Sequence, residues 1–325
     1  MKKFIGFLLC FFVWELGSAY GQELPPLRVK GTTIVNDLDQ PIQLKGMSTM
    51  GLQWTQRFIH YQTIQWLKDD WKTNVLRAAM YTKEGGYIDN PSIKDTLKNA
   101  VNGAIYAGMY VIVDWHNLSD GNPQTYKNQA KAFFDEISKE YGAYPNVIYE
   151  LCNEPNGNGV NWDNVVKPYN EELIQVIRQN DPDNIIIACT PNWATNISAV
   201  ARNPIRNQTN LMYNVHFYSG GTDGNWLRGE VDKALNVGIP VFVTEWGTSY
   251  YTGNDGLYFD SARQWLKFMK DRNIGWANWS LSDKNETSAA LKPGASGTGH
   301  WPESDLSESG KFIRKYLREG SALTN

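Results

Sequence analysis

The chain has 325 residues, of which 42% are hydrophobic and 20% charged, and its formal net charge is −3. This composition is that of a soluble globular protein. Acidic and basic residues are interleaved without a basic stripe, so we expect neither nucleic-acid binding nor a membrane-surface patch. The 13 Trp residues are unusually many. They suit either sugar binding, because pyranose faces stack on flat rings, or a large core.

Residues 1–21 have the pattern of a secretory signal peptide. Lys2 and Lys3 form a basic start, residues 4–14 are an apolar stretch, and small residues follow up to Ala19. The apolar stretch is too short to span a bilayer easily. We therefore expect cleavage after Ala19 or Gly21, and a secreted, extracellular chain whose residues 22–325 form one catalytic domain.

Strand-like and helix-like segments then alternate along the chain. An N-terminal β-hairpin is predicted with arms at residues 27–35 and 41–47 and a turn at Asn36-Asp37. Eight strands are predicted at residues 42–47, 74–80, 110–116, 147–153, 185–190, 211–218, 240–245 and 275–281. Apolar residues at helical spacing predict helices at residues 63–71, 93–107, 124–141, 164–180, 226–237, 257–272 and 306–317, with a less regular pattern at 194–205.

This alternation predicts the α/β fold class, as a single (β/α)8 TIM barrel with an N-terminal β-hairpin. A doubly wound open sheet is the alternative. That fold usually carries a Gly-rich phosphate turn after an early strand, and none is present.

Two glutamates, Glu154 and Glu245, each stand at the carboxyl end of a short apolar run. A carboxylate is costly to place beside a buried run, so such a pair suggests a catalytic role. Hydrolysis of a glycosidic bond needs two carboxyl groups and no metal. Other predicted strands also end in polar or aromatic residues, and in a barrel these ends share one face. The residues at these ends are Arg77, Tyr81, His116, Asn153, Trp193, His216, Tyr218 and Trp279.

Each of these residues also has a purely structural interpretation. Arg77 could form a core ion pair, and either histidine alone could be structural. Trp54, Trp193 and Trp226 could stack on sugars or pack in the core. Cys152 and Cys189 could pair in an oxidising compartment or stay as buried free thiols. Sequons for N-glycosylation occur at Asn117, Asn196, Asn207, Asn278 and Asn285.

Seven ordered motifs on the predicted strands resemble a glycoside hydrolase family 5 endo-β-1,4-glucanase (cellulase), and they cover essentially the whole chain after residue 21. The motifs are Gly46-Met-Ser-Thr-Met-Gly-Leu-Gln-Trp54, Leu76-Arg-Ala-Ala-Met-Tyr-Thr82, Val113-Asp-Trp-His116, Tyr149-Glu-Leu-Cys-Asn-Glu-Pro155, Asn214-Val-His-Phe-Tyr218, Val243-Thr-Glu-Trp-Gly247 and Trp276-Ala-Asn-Trp-Ser-Leu-Ser-Asp-Lys-Asn-Glu286.

The resemblance implies catalytic roles for two residues. Glu154 would be the general acid and base, and Glu245 the nucleophile of a retaining double displacement. It also implies substrate-binding or supporting roles for Trp54, Arg77, Tyr81, His116, Asn153, Trp193, His216, Tyr218, Trp279, Lys284 and Glu286. Within this group, Arg77 and Tyr218 would hydrogen-bond Glu245. Lys284 and Glu286 would bind the sugar one unit from the cleavage point or form an exposed loop ion pair. Met50 departs from the resemblance, because many relatives carry a His there.

The predicted function is therefore a secreted endo-β-1,4-glucanase that cuts internal bonds of cellulose and related β-glucans. We expect a monomer with a β-glucan polysaccharide as its partner, and with no metal and no cofactor. A mannanase, xylanase or mixed-linkage glucanase on the same barrel is the alternative enzyme. A silent sugar-binding protein normally lacks one of the two glutamates, and a metal-dependent hydrolase needs a His/Asp cluster that the sequence does not show.

Overall fold

A computed structural model describes residues 24–221 and 223–320, so the predicted signal peptide lies outside the described residues. Eight parallel strands close into a barrel, in which each strand pairs with the next one along the chain and the last pairs with the first. The predicted (β/α)8 barrel is thereby confirmed. The barrel strands are β3 (Lys45–Thr49), β4 (Val75–Tyr81), β5 (Tyr110–His116), β6 (Val147–Glu150), β7 (Ile186–Ala188), β8 (Leu211–Tyr218), β9 (Val241–Gly247) and β10 (Trp276–Leu281).

Helices surround the barrel at the predicted places. The main ones are Tyr61–Asp69, Ile93–Ala107, Lys127–Tyr141, Lys167–Arg178, Gly224–Asn236, Phe259–Asp271 and Glu308–Glu319. Shorter helical segments are Leu52–Thr55, Gln56–Phe58, Trp162–Val166, Pro191–Ala194, Ile197–Arg202 and Glu303–Asp305. The less regular helix predicted at residues 194–205 is thus two short pieces. No helix in the described parts of the chain is both long and apolar enough to cross a membrane.

The N-terminal hairpin is present, but the turn that joins its two paired strands comes earlier in the chain than the sequence predicted. Strands β1 (Arg28–Lys30) and β2 (Thr33–Val35) pair antiparallel, and Lys30 is opposite Thr33. The loop is therefore two residues long, and Gly31 takes a φ of 62° that glycine adopts without strain. The predicted turn after Val35 also exists, but only an isolated bridge joins Val35 to Pro41.

The two largest apolar clusters stabilise the barrel and its amino-terminal end. The larger cluster fills the space between the strands and the surrounding helices. The second joins hairpin residues Leu27 and Ile34 to residues near the starts of barrel strands, such as Val75, Tyr110 and Phe242. The hairpin therefore packs against the amino-terminal end of the barrel. The opposite end, where the strands finish, remains open for a site.

Candidate active site

A cleft of about 990 Å³ opens at the carboxyl-terminal ends of the strands. It brings together every site residue predicted from the sequence except Arg77, which is fully buried and does not line it. Met50 and Trp226 also line the cleft, together with residues that the sequence analysis did not select. These are Glu84, Leu118, Asn192, Thr195, Phe217, Gly221, Asp223, Tyr251, Thr252 and Gly253.

Glu154 and Glu245 lie close together in this cleft. A carboxylate oxygen of each, together with a ring nitrogen of His216, lies within 4.8 Å of the others. Both glutamates are almost buried, at 9% and 5% exposure. Retaining glycosidases hold their two carboxyl groups about 5–5.5 Å apart and inverting ones about 6.5–9.5 Å apart. The 4.8 Å limit joins single oxygen atoms of the two groups, and it is compatible with the shorter spacing.

Both carboxylate oxygens of Glu245 are held by donors. The Tyr218 hydroxyl donates to Oε1 at 2.8 Å, and Nη1 of Arg77 donates to Oε2 at 3.0 Å. Burial, and next the charge of Glu245, raise the pKa of Tyr218 well above its usual range. The phenol therefore keeps its proton and remains a donor. This arrangement orients the carboxylate and stabilises its negative charge.

Glu154 is paired with a histidine. Nδ1 of His216 lies 2.9 Å from Oε1 of Glu154, and Nε2 lies 2.8 Å from the hydroxyl of Thr244. That hydroxyl donates its own proton to Glu150 at 2.6 Å, so Nε2 must be the donor to Thr244. Burial alone would lower the pKa of His216, but Glu150 and Glu154 outweigh it and raise the pKa to about 9. His216 is therefore charged near neutral pH, and it donates from Nδ1 to Glu154 and from Nε2 to Thr244.

Arg77 lies beneath the cleft and joins Glu245 to a group of buried polar side chains. Its guanidinium donates to Glu150 at 2.7 Å and to Asn153 at 2.7 Å, and it lies 2.9 Å from Asp114. Burial alone would lower the pKa of Arg77, but the surrounding carboxylates raise it above its usual range. Burial would raise the pKa of Glu150, but Arg77 and His216 hold it at about 2. Arg77 thus forms ion pairs in the core, which is the structural interpretation that the sequence allowed for it.

The acidic and polar members of this network were not predicted from the sequence. They are Asp114, Glu150, Asn214 and Thr244, all fully buried. Asn214 donates to Glu150 at 3.1 Å and to the carbonyl of Asn153 at 2.9 Å. A signal was present for Glu150, because it is a carboxylate inside the same apolar run that ends at Glu154.

His116 belongs to a stacked wall and not to the hydrogen bonds of Glu154. Its ring lies 4.1 Å from that of Tyr81 at 20° and 5.6 Å from that of Trp279 at 19°. Nδ1 lies 2.7 Å from Asp114. Burial, and next the charge of Arg77, lower the pKa of His116 to about 3. The imidazole is therefore neutral, and its Nδ1 forms a hydrogen bond with Asp114.

Three tryptophans present about half of their surface to solvent in the cleft, namely Trp54, Trp193 and Trp226. Trp54 packs edge-on against Tyr81, with ring centroids 5.0 Å apart. Trp193 has a φ of 52°, a left-handed conformation that is uncommon for a bulky residue. Trp71 and Trp265, by contrast, are fully buried. The exposed rings are available to a sugar chain, and the buried ones are not.

Lys284 and Glu286 lie in the loop after β10. Their side chains form an ion pair, and both line the cleft. The Lys284 side chain is half exposed, whereas that of Glu286 is almost buried and accepts from Ser288 at 3.0 Å. The pair is therefore a cleft feature as well as a loop ion pair.

Glu154, His216 and Glu245 are close enough to offer three ligands to a metal ion. Most of the nitrogen and oxygen atoms that could bind a metal already form hydrogen bonds, however. Both nitrogens of His216 are hydrogen-bonded, as are both oxygens of Glu245. The Arg77 guanidinium at 3.0 Å from Glu245 also opposes a second cation. The arrangement suits proton transfer and nucleophilic attack better than metal binding.

Comparisons with known proteins agree with this geometry. A family model described as cellulase (glycosyl hydrolase family 5) matches residues 35–285. Endoglucanase A of Evansella cellulosilytica is 54% identical over 283 residues, which cover 87% of this chain and 58% of that protein. An endoglucanase of Clostridium saccharobutylicum is 53% identical over 292 residues, covering 90% and 64% respectively. The chain thus spans about three fifths of the length of these relatives.

Solved structures show the same likeness. The catalytic domain of Thermobifida fusca endoglucanase Cel5A superposes with a TM-score of 0.85 at 38% identity, covering 90% of this chain and 97% of that one. The family model spans more than half of the sequence, and the closed barrel is the fold that the sequence predicted. The chain therefore belongs to the cellulase family, glycosyl hydrolase family 5.

Proposed function

We propose that this chain is an endo-β-1,4-glucanase that hydrolyses internal bonds of cellulose and related β-glucans with retention of configuration. The observation that carries the proposal is the glutamate pair, whose oxygens lie within 4.8 Å of each other at the end of a parallel barrel. The names of the endoglucanase relatives support the substrate class. The open cleft with three half-exposed tryptophans supports binding of a chain along its length.

In the first step, Glu245 attacks the anomeric carbon while Glu154 gives its proton to the glycosidic oxygen. The carbon–oxygen bond breaks, the shortened chain leaves as an alcohol, and a glycosyl ester forms on Glu245. Arg77 and Tyr218 hold the attacking carboxylate in position. His216, whose Nδ1 lies 2.9 Å from Oε1 of Glu154, orients that carboxyl group for the transfer.

In the second step, Glu154 takes a proton from water, and the resulting hydroxide attacks the anomeric carbon of the ester. The ester bond breaks, and Glu245 is restored as a carboxylate. Asn153 would hold the 2-hydroxyl of the bound sugar through its amide. Trp279, Tyr81 and His116 would form the wall beside that sugar. Trp54, Trp193, Lys284 and Glu286 would contact neighbouring units.

The test is sugar release by the purified chain on carboxymethyl cellulose, lichenan, mannan and xylan. We expect release mainly from carboxymethyl cellulose with a rapid loss of viscosity, and we expect nuclear magnetic resonance to show the β-anomer as the first product. Main release from mannan or xylan would move the substrate class. Glu154→Gln and Glu245→Gln should each lower kcat by at least about 10³-fold, and wild-type activity in either would contradict the mechanism.

We further propose that residues 1–21 direct secretion, that residues 22–325 form the catalytic domain, and that the enzyme acts outside the cell as a monomer. The basic start and the apolar stretch support the first of these proposals. Expression of the full chain in a secreting host, followed by N-terminal sequencing of the medium, tests it. A start at residue 20 or 22 is expected, and retention of Met1 inside the cell would refute it.

A further inference from the structure

Asn117 lies directly behind the proposed acid and base, in the loop that follows β5. The residue is buried at 1% exposure although it belongs to a sequon. Its Oδ1 accepts the backbone N–H of Glu154 at 3.0 Å, and its Nδ2 donates to the carbonyl of the same residue at 3.5 Å and to Gly121 at 3.2 Å. One side-chain amide thus holds both backbone groups of Glu154.

The same residue also holds the neighbour of Glu154. The backbone carbonyl of Asn117 accepts from Nδ2 of Asn153 at 3.0 Å. Asn153 in turn accepts from Arg77 at 2.7 Å. Asn117 therefore joins the loop after β5 to Asn153 and Glu154 in the segment after β6, through side-chain and backbone contacts together.

The thiol of Cys152 fixes the direction of this amide. Its Sγ donates to Oδ1 of Asn117 at 2.7 Å, and the thiol is fully buried. Burial raises the pKa of Cys152 well above its usual range, so the thiol keeps the proton that it donates. A donor at this point favours the rotamer in which the oxygen of Asn117, and not its nitrogen, faces Glu154.

We infer that Asn117 is a positioning residue for Glu154, and that the Cys152 thiol keeps its amide in the working orientation. The inference rests on the proposed function, since Glu154 is proposed there as the acid and base. A carboxyl group transfers a proton efficiently only when it is aimed at the glycosidic oxygen. A misplacement of about 1 Å can cost on the order of 100-fold in rate.

The chain offers a matched control in the helix Lys167–Arg178, which packs beside the end of β7. Asn170 is also fully buried, and its Oδ1 accepts from the N–H of Cys189 at 3.1 Å and from the thiol of Cys189 at 3.2 Å. Its Nδ2 donates to the carbonyl of Cys189 at 3.0 Å. In the part of the chain that the structure describes, the Asn170 side chain bonds to Cys189 and not to Glu154. The Cys189 thiol also interacts with that of Cys152. Loss of Asn170 therefore reports the cost of removing a buried amide beside the same pair of thiols while the contacts of Asn117 with Glu154 remain.

The experiment compares Asn117→Ala with Asn170→Ala on two substrates in the full chain. Cellotetraose has a sugar leaving group that must be protonated, whereas 2,4-dinitrophenyl β-cellobioside has a leaving group that needs no acid. We expect Asn117→Ala to lower kcat/KM on cellotetraose by about 10- to 100-fold and on the aryl substrate by less than about threefold. Asn170→Ala should change both substrates by one common factor. The burst of dinitrophenol counts the folded, active sites in each preparation.

A second pair of variants keeps the test decisive where Asn117→Ala does not fold. Cys152→Ser retains a donor to Asn117 and should match the wild type on both substrates, while Cys152→Ala should lose activity on cellotetraose selectively. An equal loss on both substrates, or no loss on either, in Asn117→Ala or Cys152→Ala would overturn the inference. A wild-type chain that cleaves neither substrate would instead refute the proposed function, and the inference with it.

Discussion

Replacement of Arg77 by methionine should destabilise the fold strongly, because the guanidinium holds a buried network of acids. It lies 2.7 Å from Glu150, 2.9 Å from Asp114 and 3.0 Å from Glu245. Removing one partner of a buried ion pair costs about 3–5 kcal/mol. The displacement of the Glu150 pKa from 4.5 to about 2 gives an independent scale, on the order of 3 kcal/mol. We therefore expect a loss of about 3–5 kcal/mol.

The loss should depend on pH with a definite sign. In the wild type, the folded-state pKa of Glu150 lies below its unfolded value of 4.5, so this stabilisation is full above pH 4.5 and is lost as the pH falls toward 2. In Arg77→Met, the charge of Arg77 no longer opposes the effect of burial on Glu150. Burial then raises the pKa of Glu150. The variant then loses stability as the pH rises, so its deficit should widen between about pH 4 and about pH 7.

Urea unfolding followed by tryptophan fluorescence measures both effects. Arg263→Met is the control, because Arg263 pairs with Asp260 at 2.6 Å on the exposed surface. Such exposed pairs contribute less than about 1 kcal/mol. A deficit below about 1 kcal/mol for Arg77→Met, or a deficit equal at both pH values, would refute the account of Arg77 as the counter-ion of buried carboxylates.

Three further predictions concern the cleft. Met50→His should lower the Michaelis constant for cellotetraose, because a thioether makes no strong hydrogen bond, and an unchanged constant would contradict this. Trp226→Ala should raise the Michaelis constant for carboxymethyl cellulose roughly fivefold, equivalent to about 1 kcal/mol of lost stacking, with dinitrophenyl cellobioside much less affected. Because the pKa of His216 is raised from 6.5 to about 9, the stability it provides is full below pH 6.5 and is lost as the pH rises through 9. Urea titrations should show this decline, up to about 3 kcal/mol, in the wild type and not in His216→Asn.

The barrel could be predicted because its strands and helices have different hydrophobic periods. Two of the predicted strands, residues 110–116 and 211–218, have the same limits as the observed strands β5 and β8. The hairpin was placed less accurately. Asn36-Asp37 is a strong turn signal and does form a turn, but Gly31 closes a tighter one five residues earlier. Two adjacent turn signals compete, and propensity alone does not rank them.

The cleft side chains were easier to predict than the network beneath them. Residues at the ends of strands stand out, because they break an apolar run. Glu150, Asp114 and Thr244 lie within strands that are buried on both faces, where strict alternation of apolar and polar residues is lost. The sequence does not say which side of such a strand faces inward. Only the closed barrel brings Thr244 of β9 to within 2.6 Å of Glu150 of β6.

The surroundings of the two glutamates differ in a way that explains the proposed division of their roles. Glu245 receives a hydrogen bond on each oxygen, from a phenol and a guanidinium that both retain their protons. Such an environment stabilises negative charge and suits a nucleophile. Glu154 is instead hydrogen-bonded through Oε1 to Nδ1 of His216, which orients the proposed acid and base. Since Glu150 contacts Arg77 directly and reaches His216 through Thr244, one buried carboxylate supports both halves of the site. The loss of Glu150 should therefore impair attack and proton transfer together, although it does not line the cleft.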